Sequence, residues 1–239
     1  MGTEIVLELA DPLPVDELQR LADDVFAWLH EVDRRFSTYK ADSEVNRLDR
    51  GELALSDCSA ELTGVLDTCA GLWRATDGYF DVYATGRLDP SGFVKGWSVQ
   101  VASDRLAAAG AANHYLNAGG DVCVRGHSAT GEAWRVGIRH PWQTDKTCWV
   151  LDCTDLAIAT SGTYERGYHV IDPRRAEPAT ALRSVTVTGP DLGLADAYAT
   201  AALAMGLAGL DWLATLDGYA CGVVTQDARC LRSDDLPVV

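Results

Sequence analysis

Positive charge is scarce in this chain. Its 239 residues carry 20 Lys and Arg against 35 Asp and Glu, a net charge of −15 at pH 7. Proteins that grip nucleic acid carry basic patches, so binding a phosphate backbone is excluded as the main task. A nucleotide held through a divalent cation and backbone N–H groups stays open, because those supply positive field locally. Long apolar runs are also missing: none approaches the ~18 residues of a membrane-spanning helix. The opening stretch MGTEIVLELADPLP has neither a basic n-region nor a long apolar h-region, so it does not read as a signal peptide. The seven cysteines, Cys58, Cys69, Cys123, Cys148, Cys153, Cys221 and Cys230, form no CxxC pair. This odd, scattered set fits reduced, mostly buried thiols, and a cytoplasmic location is the expectation. The spacings do not suggest zinc. Neither a GxxxxGK[ST] phosphate loop nor a GxGxxG fingerprint occurs.

Apolar residues, by contrast, make up 47% of the chain, enough for a sizeable core. TEIVLEL alternates as a strand does, and residues 15 to 36 repeat apolar positions at helical spacing. Ser59 is placed to cap a second long helix ending near Gly78, and a third helix is expected from Lys95 to Ala109, stopped by Gly110. HYLN, DVCVRG, EAWRVGIRH, TCWVLDC, LAIAT and SVTVTG read as strands. A helix through residues 193 to 206, a shorter one near LDWLATL and a hairpin in YACGVVTQDARCLRS close the chain. No repeat or linker interrupts it. The expectation is one α+β domain over residues 1–239, with mainly antiparallel sheets and packed helices.

Five polar clusters interrupt this pattern. STYKADSEVNRLD, with Tyr39, reads by itself as a surface turn. In TDGYFD, Gly78 is an ordinary helix stop, and Tyr79 and Phe80 are either core or a flat surface for an aromatic ring. LDPSGFVKGW runs a Gly-containing loop into a helix and offers Lys95 and backbone groups to a phosphate; a plain turn is the commoner meaning. Gly119-Gly120 fits a hairpin turn or a close backbone approach by a ligand. ATSGTYERGYHVIDP places Ser161, Glu165, His169 and Asp172 between strands, where a lone His is more often structural than catalytic. Asp196 and Thr200 lie four residues apart on one face of an Ala-rich helix. Singly, Asp196 is a helix-start residue and Thr200 a hydroxyl bonded to its own helix.

Taken in order, these stretches resemble the ApbE family, the FAD:protein FMN transferases. The matching pieces are MGT, FSTYKADSEVNRLD, DGYFD, DPSGFVKGW, LNAGGDVCVRG, WRVGIRHP, ATSGTYERGYHVIDP, SVTVTG and ADAYATAALAMG. The resemblance implies a two-lobed α+β fold with a central flavin cleft. It implies Mg²⁺-dependent transfer of FMN from FAD, as substrate, to a Ser or Thr hydroxyl of an acceptor protein, a redox protein, with release of AMP. On this basis Met1, Tyr39, Tyr79, Phe80, Asp81, Asp89 and Lys95 line the FAD site. Asp196 and Thr200, with the Gly92 carbonyl, hold Mg²⁺, and His169 is the acid–base candidate. A carboxylate and a hydroxyl at i and i+4 suit a hard cation that keeps room for phosphate and water. Two departures stand out: DPRRAEP replaces DP-x-T-G-x-P, and Gly193 stands where some members carry a further Asp on the metal side. The alternatives are an FAD pyrophosphatase, with water in place of the hydroxyl, and a non-catalytic flavin carrier.

Overall fold

The computed structural model describes residues 3–143, 145–164, 167 and 169–239. Strand β1 (Ile5–Leu9) leads into four helices: α1 (Val15–Phe36), α2 (Glu44–Asp49), α3 (Ala60–Ala75) and α4 (Ser91–Ala108). Then come β2 (His114–Ala118), β3 (Asp121–Arg125), β4 (Trp134–Arg139), β5 (Thr147–Cys153) and β6 (Leu156–Gly162). Two short strands, β7 (Ile171–Asp172) and β8 (Glu177–Pro178), precede β9 (Leu182–Gly189). Helices α5 (Leu192–Met205) and α6 (Ala208–Leu213) and strands β10 (Ala220–Thr225) and β11 (Cys230–Arg232) complete the order. The main sheet runs β1-β2-β3-β6-β9-β10-β11, and every one of its pairings is antiparallel. The α+β reading with packed helices holds.

Strand alternation divides the core. Cys123, Ala157, Ala159, Val185 and Val187 face the helices, while Val122, Val124 and Ile158 face the β4–β5 hairpin with Trp134, Val136 and Leu151. The sheet is covered on both faces, which is why β10 is buried along its whole length. The Gly119-Gly120 turn joins β2 to β3 with both φ angles positive (60° and 98°), as a two-residue hairpin requires.

Three helix boundaries differ from expectation. Helix α3 stops at Ala75, because Thr76 turns the chain: its hydroxyl donates to Leu72 O and accepts from Phe80 N–H at 2.9 Å. Helix α4 starts at Ser91, a turn before Lys95, with the Ser91 N–H held by Asp89 Oδ1 at 3.0 Å. Helix α5 is capped by Asp191, whose Oδ1 accepts from Leu194 N–H at 2.7 Å. The helix-start role therefore belongs to Asp191. Asp196 lies one turn inside, only 3% exposed.

Helices α4 and α5 pack against each other at very short range. A Cβ on Gly96 would lie 2.3 Å from Leu192 O, and one on Gly193 would lie 2.9 Å from the Phe93 ring and 3.1 Å from Trp97 Cα. Gly193 is thus a packing residue under α4, and it is not among the residues of the cleft described below. Gly96→Ala is expected to destabilise the protein by ~3 kcal/mol, the top of the usual overpacking range, since the obstacle is backbone. Gly64→Ala in α3, where a Cβ meets open space, should instead stabilise it by ~0.5–1 kcal/mol through helix propensity. Urea unfolding of both variants checks the opposite signs.

Candidate active site

Buried polar residues shape the loops around the site. Asn46, 5% exposed, donates its amide to the carbonyls of Ser37 (3.3 Å), Thr38 (3.0 Å) and Lys40 (2.8 Å), which fixes the turn carrying Tyr39. Ser43 caps α2 by accepting from Asn46 N–H. At the end of that helix Asp49 Oδ1 accepts from Leu88 N–H at 2.9 Å, and this bond holds the Asp49 carboxyl below its ordinary range. The segment from Tyr79 to Ser91 is so anchored at Phe80, Leu88 and Ser91. Asp81 accepts from Tyr83 N–H at 2.8 Å and Asp89 from Ser91 N–H, so both carboxylates shape the loop they also present.

These elements enclose a solvent-open cleft of about 1080 Å³. Tyr79, Phe80, Asp81, Asp89, Gly92, Lys95, His169, Asp196 and Thr200 all line it. Tyr39, 91% exposed, lines a smaller adjoining cleft with Thr3 and Phe36; Ser91 and Lys95 belong to both. Met1 lies outside the described residues, as does Glu165.

The centre of the cleft is a buried charge cluster. Lys95 Nζ pairs with Asp121 Oδ2 and lies 3.5 Å from Asp196 Oδ2. Asp121 is fully buried, and its Oδ1 also accepts from Thr160 N–H at 3.2 Å. Asp196 Oδ2 accepts from Gly96 N–H at 3.1 Å. Among the described residues, one ammonium thus faces two carboxylates in a low-dielectric setting. Thr200 Oγ1 lies 3.1 Å from Ser161 Oγ, and a Cβ on Gly92 would fall 3.4 Å from Thr200 Oγ1. The short approach of Gly92 sets its backbone beside the Thr200 hydroxyl. Among the described residues no group of three or more His, Cys, Asp or Glu forms a metal cluster. The carboxylate and hydroxyl oxygens of Asp196 and Thr200 fit Mg²⁺, which commonly takes only one or two carboxylates from protein.

His169 is exposed at the cleft edge, and its Nδ1 lies 3.0 Å from Gly167 O. A carbonyl can only accept, so this bond places the proton on Nδ1 and the basic lone pair on Nε2. Sequence reasoning passed over Asp121. Its signal is an acidic residue opening the strand DVCVR, ahead of the apolar Val-Cys-Val, directly after a Gly-Gly turn. The altered DPRRAEP loop keeps a hairpin: Asp172 pairs with Glu177, and Ala176 takes φ +54° in a position where glycine is the unstrained choice.

An α+β protein with an aromatic and oxygen-donor cleft between antiparallel sheet and helices is the class defined so far. Comparison with known proteins narrows it. The profile described as the ApbE family matches residues 1–86 and 84–223, and the chain belongs to that family. An FAD:protein FMN transferase from Vibrio cholerae is 26% identical over 265 residues, covering 86% of this chain and 79% of that protein. One from Rhodobacter capsulatus is 31% identical over 185 residues, covering 74% of this chain but 32% of its own length. The solved flavin transferase ApbE from Vibrio cholerae superposes with a TM-score of 0.85 at 24% identity, covering 100% of this chain and 96% of that one. An ApbE protein from Thermotoga maritima gives 0.85 at 20% identity, covering 98% and 94%.

The charge cluster gives a direct test. Lys95→Met leaves two buried carboxylates facing each other and should destabilise the protein by roughly 3 kcal/mol, the low end for a broken buried pair because Lys95 is partly exposed. Adding Asp121→Asn to that variant should restore much of the loss. Thermal melts of the single and double variants measure the coupling.

Proposed function

We propose that this protein moves the FMN half of FAD onto a Ser or Thr hydroxyl of an acceptor protein and releases AMP, with Mg²⁺ as the metal. The observation that supports this reading is the convergence of Tyr79 and Phe80 with Lys95, Asp196 and Thr200 in one cleft of an ApbE-family fold. The curated relatives are FAD:protein FMN transferases, so flavin transfer is the activity of the class. We take residues 1–239 as one functional unit, because both core clusters share the main sheet.

Asp196, Thr200 and the Gly92 carbonyl would hold the cation. When bound, it neutralises the diphosphate and stabilises the charge that develops on the leaving AMP. The aromatic pair Tyr79 and Phe80 gives a ring a flat wall, and Lys95 sits where a phosphate would pass between the two adjoining clefts. The acceptor hydroxyl oxygen attacks the FMN phosphorus, the P–O bond to AMP breaks, and AMP leaves with that oxygen. His169 Nε2 would take the hydroxyl proton. Little else is asked of the protein than alignment, as in other phosphoryl transfers. Tyr39 would extend the ligand site beyond the main cleft. No helix among the described residues is long and apolar enough to cross a membrane. The acceptor meets the cleft from the open side.

Asp196→Asn separates this reading from a packing role. Asn keeps the oxygen that accepts from Gly96 N–H but removes the charge that holds a hard cation. Because that bond is kept, metal-free melting should stay close to wild type. AMP release from FAD should fall by at least ~100-fold, the most that loss of a merely supporting partner costs. Thr200→Val should fall less. AMP release against Mg²⁺ concentration, with mass spectrometry of FMN-protein and free FMN, makes the measurement. Near wild-type release from Asp196→Asn would remove the metal-site reading, and free FMN alone beside a competent acceptor would replace transfer with hydrolysis.

A further inference from the structure

The hairpin β7–β8 follows His169 and Val170 and delivers Ile171 to the cleft wall, yet its strands have two residues each. A hairpin of that size has no stability of its own in water, so its position depends on what holds it. Asp172 organises the turn from inside: Oδ1 accepts from Arg174 N–H at 2.9 Å, and the backbone carbonyl accepts from Ala176 N–H at 2.8 Å. Arg174 reaches outward. Its guanidinium carbon lies 4.3 Å from the centroid of the Tyr79 ring. Its Nη2 donates to Asp77 O at 3.1 Å and to the Asp77 carboxylate. Asp77 is itself left-handed, at φ +52°, as is Ala176 at +54°. Two strained turns, distant in sequence, are therefore joined through one side chain, and strain that persists in a structure points to a use.

We propose that Arg174 is a positioning residue. It ties the β7–β8 hairpin to the Asp77–Tyr79 turn and fixes the aromatic wall against which a planar ring of the dinucleotide substrate packs. This deepens the reading of FAD as substrate and rests on it. Tyr79 lines the cleft, and a guanidinium over a ring is held by the π face while its N–H fork bonds elsewhere. Lysine, a point charge without the planar fork, cannot do both. Arg174 stands at the variable third position of DP-x-T-G-x-P, while the departures from that pattern are Arg175 and Ala176.

The test uses the full chain as Arg174→Ala and Arg174→Lys. Hydrogen exchange of residues 170–179 is followed without nucleotide, and dissociation constants are measured for FAD, ADP and FMN. With melting unchanged, exchange in the hairpin should accelerate in both variants. FAD affinity should fall roughly two- to five-fold, the scale of an exposed cation–π contact. One of ADP and FMN should weaken in parallel and the other not, which identifies the ring lying against Tyr79. Wild-type exchange together with wild-type FAD affinity overturns the proposal. Equal weakening of ADP and FMN with lowered melting also overturns it, as general loosening. If the unmodified protein fails to bind FAD, the functional reading falls instead, and the exchange measurement alone then decides for or against the tether.

Discussion

The structure turns on the close crossing of α4 and α5. Two helices can approach this nearly only where one shows the other no side chain, and Gly96 and Gly193 provide that at the contact. The approach does more than pack. It brings the Gly96 N–H onto the Asp196 carboxylate and sets Gly92 beside Thr200. The oxygen donors of the proposed metal site come together because the backbones do. The Ala-rich composition of α5 serves the same end, since small side chains let the helix lie close to α4, β6 and β9.

Burying charge at this crossing is costly unless it is matched. Lys95 meets Asp121 from the sheet and Asp196 from the neighbouring helix, so three elements are coupled through one ammonium. Under the proposed function, a divalent cation and a diphosphate would enter this centre together, each offsetting the other's charge. The strongly acidic surface is no obstacle to a nucleotide substrate when the positive field is local.

Around that centre, loops are held by buried polar side chains whose partners are backbone. Asn46 gathers three carbonyls, Asp49 takes the Leu88 N–H and Thr76 bridges Leu72 to Phe80. Each bond fixes a segment that secondary structure leaves free. The cleft wall is thus as much a product of these residues as of Tyr79 and Phe80 themselves. The β7–β8 hairpin follows the same logic with an exposed tether, Arg174.

Local chemistry by itself determined a good deal. The period of α1, the Ser59 cap, the Gly-Gly hairpin and the alternating strands depend on neighbours a few residues apart, and all are legible in the chain. The i, i+4 spacing of Asp196 and Thr200 is legible for the same reason. Helices α4 and α5 start earlier than the apolar pattern suggests because Asp89 and Asp191, just upstream, hold the backbone N–H groups of Ser91 and Leu194. Asp121 could not be weighed from sequence, since its importance comes from Lys95, 26 residues earlier and on another element. Nor could Gly193 be recognised as a contact with α4 or Arg174 as the partner of Tyr79. Spacing along the chain fixes which residues share a face; only tertiary packing decides what that face meets, because the contacts that set charge balance and close approach join segments up to a hundred residues apart.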